Sequence, residues 1–152
     1  MSRRSRQYAV AQSVIIVLFA VAVFLVHERP LFTSRFVGGL GQVLCATGVV
    51  VMAFAFAALR GVIRIAPEPK AEGHLVTTGV YRWLRHPIYS AIGLIVVGLV
   101  LRKPTVPLAV AAAAVIAFLF VKARFEERLL TSRYPQYREY RKRSWGLIPG
   151  LR

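Results

Sequence analysis

The stretch FVGGLGQVLCATGVVVMAFAFAAL, residues 36–59, runs for 24 residues without a charged side chain. Wound as an α-helix at about 1.5 Å per residue it reaches ~36 Å, enough to cross the ~30 Å hydrocarbon layer of a bilayer. A second run, YAVAQSVIIVLFAVAVFLV at residues 8–26, is uncharged over 19 residues and reads the same way. The rest of the composition agrees. The 152 residues are 57% hydrophobic with a mean hydropathy of +0.56, whereas soluble domains hold roughly 45–50% apolar residues. A water-soluble core of this size has no room for that surplus, so the chain is expected to be an all-α integral membrane protein.

Working outward, residues 88–101 and 105–121 are shorter apolar runs of 14 and 17 residues, separated by Arg102-Lys103-Pro104-Thr105. That break reads as a tight turn, making the last two of about four transmembrane helices a helical hairpin. The fourth helix has no stop signal until Pro135. From Thr105 through Arg133 it would extend ~43 Å, so its last turns project beyond the membrane into the cytoplasm, carrying Lys122, Arg124, Glu126 and Glu127. Residues 1–59 thus form two N-terminal transmembrane helices, and residues 60–152 a second module of connecting loop, hairpin, extended helix and tail.

Charge sets the expected orientation. The formal net charge is +15, and its placement is lopsided: seventeen Lys and Arg lie in residues 1–7, 60–87 and 122–152, against four in the two loops expected on the other side. This is the positive-inside pattern, which places both termini in the cytoplasm and draws that face toward anionic membrane lipids. A bacterial-type inner membrane suits so small a chain. No nucleic-acid-binding motif accompanies the charge, and nothing in the sequence points to nucleic acid or to an obligate protein partner. The basic leader around Arg3 to Arg6 resembles the start of a signal peptide. However, the apolar run after it is long and ends at His27-Glu28-Arg29-Pro30 with no small-x-small site, so a retained helix is expected.

Small residues fit helix packing. Gly38-Gly39-Leu40-Gly41 has the look of a dinucleotide loop, but no strand precedes it. Gly41 and Gly48 instead fall seven apart on the second helix, where they allow a neighbouring backbone to approach closely. Cys45, the sole cysteine, lies in the same helix and can form no internal disulfide, which leaves it a packing role.

The polar chemistry gathers just before the third helix. Pro67, Glu68, Pro69 and Lys70 make a stiff crossing, Gly73 and Gly79 punctuate it, and then comes YRWLRHPIYS, residues 81–90. Pro87 suits the first helical position, where its fixed φ fits and its missing N–H is not needed. His86, preceding proline, must lie outside the α region. A helix N-terminus of this kind offers unpaired N–H groups to an anion, here flanked by Arg85, His86 and Tyr89. The overhanging end of the fourth helix is expected at the same level, so two polar clusters distant in sequence should meet.

Each of these residues has an ordinary explanation as a membrane anchor or a surface ion pair. In combination they are more specific. GHLVTTGVYRWLRHPIY at 73–89, then RFEERLL at 124–130, then YPQYREYRKR at 134–143, resemble the isoprenylcysteine carboxyl methyltransferase family, a group of integral-membrane methyltransferases related to phospholipid methyltransferases. The resemblance covers about half the chain, from residue 73 to about 149. It implies S-adenosyl-L-methionine as cofactor and a lipophilic methyl acceptor. Carried over by position, His74, Leu75, Val76 and Tyr81 would line the cofactor cleft. His86, Pro87 and Tyr89 would hold the cofactor's methionyl end, and Glu126 would contact it from the fourth helix. Arg85, Arg124 and Glu127 take the catalytic roles. Relatives can place the substrate-orienting cation at the position of Lys122, so Lys122 and Arg124 both stand for it. The segment Tyr134-Pro135-Gln136-Tyr137 is one residue shorter than the family's usual pattern.

The implied reaction needs no metal, because a sulfonium-bound methyl is already activated. The carboxylate of an isoprenylcysteine-like or isoprenoid acceptor would need a cation but no base. A phospholipid amine would need a base, for which Glu127 or His86 are the nearest groups. A non-catalytic membrane scaffold is a rival reading, disfavoured by the intact His86, Tyr89, Glu126 and Glu127. A transporter is a further rival, disfavoured because the four apolar runs contain no charged residue.

Overall fold

A computed structural model of the protein describes residues 3–59 and 75–151. His74 and the proline-rich crossing at 60–74 lie outside the described residues. Among those described, every regular element is helical. α1 is Arg3–Leu25, α2 Arg35–Leu59, α3 Pro87–Arg102, α4 Val106–Arg133 and α5 Tyr137–Arg143, with one turn of 3₁₀ helix at Gly79–Arg82 before α3.

The helix boundaries follow local chemistry. His86 caps α3 with φ −126° and ψ 58°, outside the α region, and Pro87 occupies the first turn. Thr105 is extended ahead of α4, and Pro107 takes one of its first two positions. Tyr134 is extended after α4, as the following Pro135 requires. α1, α2 and α4 are long and apolar enough to cross a membrane. α3, at 16 residues, is not: it extends ~24 Å, short of the ~30 Å layer. α4 at 28 residues runs ~42 Å, ~12 Å more than that layer is thick, and the twelve residues from Lys122 to Arg133 make up its last ~18 Å.

The two inter-helix loops meet at one end of the bundle. Leu31 N–H donates to Pro104 C=O at 2.7 Å, and the Lys103 ammonium donates to Val26 C=O just beyond the C-terminus of α1. At the other end Tyr8 of α1 stacks on Phe125 of α4, ring centroids 4.5 Å apart. The beginning of α1, the start of α3 and the overhang of α4 therefore share that second end.

Packing modifies the simple hairpin. α3 lies mainly along α2, while α4 leans on α1, and α3 and α4 touch more sparingly than their tight connection implies. Glycine is the reason. A Cβ at Gly41 would stand 2.6 Å from Gly98 C=O, and one at Gly98 would stand 2.6 Å from Cys45 Sγ. A Cβ at Gly48 would meet Ala91 C=O at 2.8 Å. The backbones are in direct contact along this seam, a close approach that in lipid supplies dispersion where no hydrophobic effect operates. Replacing Gly98 by Leu should force α2 and α3 apart and destabilise the protein by about 1–3 kcal/mol, read as a lowered thermal midpoint in detergent. Gly38→Ala, where an added Cβ meets nothing within 4 Å, should leave the midpoint in place.

Candidate active site at the ends of α3 and α4

The segment leading into α3 is held by a small polar lattice. Leu84 forms an isolated bridge with Trp145 of the C-terminal tail: Arg85 N–H donates to Trp145 C=O and Trp145 N–H to Trp83 C=O, each at 2.9 Å. The Arg85 guanidinium, 2% exposed in its side chain, donates from Nε to Glu127 Oε1 at 2.7 Å and from Nη1 to the carbonyls of Arg141 and Ser144. One buried cation thus joins the entry to α3, the overhang of α4, α5 and the tail. Arg141 Nε adds a contact to Glu127 Oε2 at 3.5 Å.

Glu127 is locked by these partners. Burial alone would push its carboxyl up, but the nearby His86 ring and the hydrogen-bonded Arg85 guanidinium outweigh that and hold it at about 2, below its ordinary 4.5. A carboxylate so held is a weak proton acceptor. Arg85 and Glu127, the two residues of the lattice to which the resemblance gave catalytic roles, are thus paired directly with each other.

The second cluster faces outward from this lattice. Tyr89, one turn into α3, stacks parallel to His86 with ring centroids 5.4 Å apart, and its hydroxyl donates to Glu126 Oε1 at 2.7 Å. Lys122 Nζ lies 3.6 Å from the same Glu126 oxygen, one helical turn away, and 5.3 Å from the centre of the Tyr89 ring. The Lys122 ammonium also donates to the Gln12 side-chain carbonyl of α1. His86 Nε2 is 3.4 Å from Glu127 Oε1, close but poorly aligned, and remains a buried nitrogen with no hydrogen-bond partner. Glu126, by contrast, keeps 36% of its side chain exposed. Half-buried Tyr81 stands near it, its hydroxyl pushed up by burial and by the Glu126 charge.

The structure therefore brings Tyr81, Arg85, His86, Pro87, Tyr89, Lys122, Glu126 and Glu127 to one end of the bundle. Arg124 is not among them: it is exposed, two positions from Lys122 and so about 200° around α4. Of the two candidate substrate cations, Lys122 is the one at the cluster. Leu75 borders a separate cavity of about 500 Å³ with Arg82, Trp83, Tyr140 and Arg143, and Val76 beside it is half-buried. Gln12 and Ser144 escaped the sequence reading. Gln12 carried a signal, being the first polar residue of an otherwise apolar run, where an amide needs a partner.

Beside the cluster lies an apolar cavity of about 500 Å³, set between α2, α3, α4 and the tail. Tyr89 and Ser90 stand at its α3 end, Leu119 and Phe120 of α4 at one side, and Leu147 and Pro149 of the tail at another. Tyr89 belongs to both, lining the cavity with its side chain and hydrogen-bonding Glu126 with its hydroxyl.

Comparison with known proteins gives this arrangement its class. Residues 34–137 match the model of the phospholipid methyltransferase family, and the chain belongs to that family of integral-membrane methyltransferases. The chain is also 33% identical over 78 residues to a nickel-cobalt-cadmium resistance protein of Alcaligenes xylosoxydans xylosoxydans, a match over 51% of this chain and 37% of that relative. It thus spans little more than a third of the curated relative's length. No solved structure matches it.

Two outcomes test the lattice. Arg85→Leu leaves Glu127 buried without its main partner and should lower stability by about 3 kcal/mol or more; Arg85→Lys should restore only part, because an ammonium cannot reproduce the guanidinium fork. The Glu127 contribution should be fully present above pH 4.5 and be lost as pH falls toward 2, since its folded-state value is the lower one. Thermal midpoints measured from pH 6 to pH 3 should fall less steeply in Glu127→Gln than in the parent.

Proposed function

We propose that the protein transfers the methyl group of S-adenosylmethionine to the polar end of a lipophilic acceptor lying in the bilayer. The observation that carries this reading is Tyr89, whose ring borders an apolar cavity while its hydroxyl reaches the carboxylate of Glu126. A site with one apolar and one charged half suits an amphipathic acceptor and a water-soluble donor.

The residues fit the cofactor. It carries a carboxylate, an ammonium and an adenine. The buried, unpartnered His86 Nε2 and the N–H groups of the first turn of α3 are available to a carboxylate. Glu126, partly exposed, would accept from the ammonium. Tyr81, half-buried on the segment before α3 and close to Glu126, suits an adenine wall. When bound, the cofactor supplies a methyl already activated by its sulfonium. The contribution of the chain is alignment and exclusion of water, effects worth up to ~7–11 kcal/mol of barrier.

For the acceptor, an isoprenoid-like carboxylate is the first reading. Lys122, set over Tyr89 and oriented by Gln12, is the cation such a group needs, and no base is required. A phospholipid amine is the second, favoured by the family to which the chain belongs. It would have to lose a proton, for which Glu127 is too weak a base, leaving His86. On the positive-inside distribution of Lys and Arg, the site faces the cytoplasm.

The detergent-solubilised protein should bind S-adenosylmethionine in a calorimetric titration. His86→Ala and Glu126→Ala should each weaken that binding by about tenfold, or ~1.4 kcal/mol. No binding by the parent would defeat the methyltransferase reading, and unchanged binding by both variants would defeat the assigned site. Incubation with a radiolabelled methyl donor and a membrane-lipid extract separates the acceptors: an ester releases its label as methanol in mild alkali, whereas an N-methyl group retains it.

A further inference from the structure

The C-terminal tail does more than fill space beside α3. It returns across the entry to that helix through Arg85 N–H to Trp145 C=O and Trp145 N–H to Trp83 C=O, and the Ser90 hydroxyl donates to Leu147 C=O. The tail then closes on itself, Gly146 N–H bonding Leu151 C=O at 2.8 Å and Leu151 N–H bonding Ile148 C=O at 3.0 Å. These bonds fix a short strap whose side chains, Leu147, Ile148 and Pro149, are turned to the apolar cavity as one of its walls. Leu147 also packs on the buried core.

That wall stands where selection has to occur. The cavity follows α3 from Tyr89 to Val97, a depth of ~12 Å at a helix rise of about 1.5 Å per residue. Hydrocarbon chains are as apolar as the helices around them, so burial in the groove provides little preference for one lipid over another. Discrimination must come from shape, and the helical walls are constrained by the glycine seam of α2 on α3. Among the described residues, the strap and Leu84 are the lining that lies outside the helices, and the strap adjoins Tyr89 and Ser90, beside the polar cluster.

We propose that Leu147, Ile148 and Pro149 are the acceptor-selecting wall of the site, shaping the cavity for a single apolar chain of the methyl acceptor. The inference rests on the methyltransferase reading above and adds to it which part of the chain reads the lipid. Arg85 acts here as a positioning residue, holding the strap through the carbonyl of Ser144 and the backbone of Trp145.

Two measurements decide it. First, a farnesyl chain bearing a diazirine is photolysed with the detergent-solubilised full chain and the adducts are mapped. Labelling of residues 147–149 that competes with unlabelled farnesylcysteine is expected. Labelling confined to α1 or to the outer face of α2 overturns the proposal. Second, Leu147→Trp is compared with the parent on farnesyl and on short-chain acceptors. The farnesyl KM should rise by about tenfold or more relative to the short-chain KM, with S-adenosylmethionine affinity by titration within about twofold. Equal KM changes for both acceptors overturn the proposal. If Leu147→Trp does not fold, Ile148→Trp, at a more exposed position, serves in its place. Should the parent bind neither S-adenosylmethionine nor transfer methyl, the functional reading fails on its own. A parent that does both, with no strap labelling, sinks only the wall.

Discussion

The guanidinium of Arg85 is the constraint on which the working end of this molecule depends. Its donors reach a carboxylate on α4 and two backbone carbonyls from α5 and the tail, while its own backbone N–H pairs with Trp145. Burying a guanidinium is expensive unless its hydrogen-bonding capacity is met. Meeting it here requires four chain segments to converge at one point. The convergence leaves Tyr89 and the partly exposed Glu126 paired on the adjoining face, while Arg85 and Glu127 are buried behind them.

Two kinds of packing divide the labour. Along α2 and α3, glycines bring backbone against backbone, giving a seam that tolerates no added side chain. Between α3 and α4 the contact is looser, and the apolar cavity occupies that space. A rigid seam on one side and an open one on the other let the same helix α3 anchor the bundle and border a binding site. Phospholipid methyltransferase family membership covers residues 34–137, so α1 lies outside it, yet α1 supplies Gln12 to Lys122.

Much of the architecture was legible in the sequence because long uncharged runs have few alternatives. Two helix ends were equally readable, since Pro87 and Pro135 constrain the backbone regardless of tertiary context. The meeting of the α3 entry with the α4 overhang followed from counting residues against bilayer thickness. What the sequence could not show was angular. Lys122 and Arg124 differ by about 200° around the helix, and only the packing of α4 on α1 decides which of them faces the cluster. Nor does sequence distinguish the two neighbouring carboxylates, of which the structure shows Glu127 paired with buried Arg85 and Glu126 partly exposed beside Tyr89. The tail gave least away, because WGLIPGL carries no periodic pattern and its contacts depend on bonds to distant carbonyls.

The short third helix has a final consequence. A segment ~24 Å long within a ~30 Å hydrocarbon layer is mismatched with its surroundings. Thinning of the lipid around it would bring the headgroup region down toward Pro87 and Tyr89. The aqueous boundary would then dip locally, and on the proposed function a polar lipid terminus would meet the water-borne donor without being lifted clear of its neighbours.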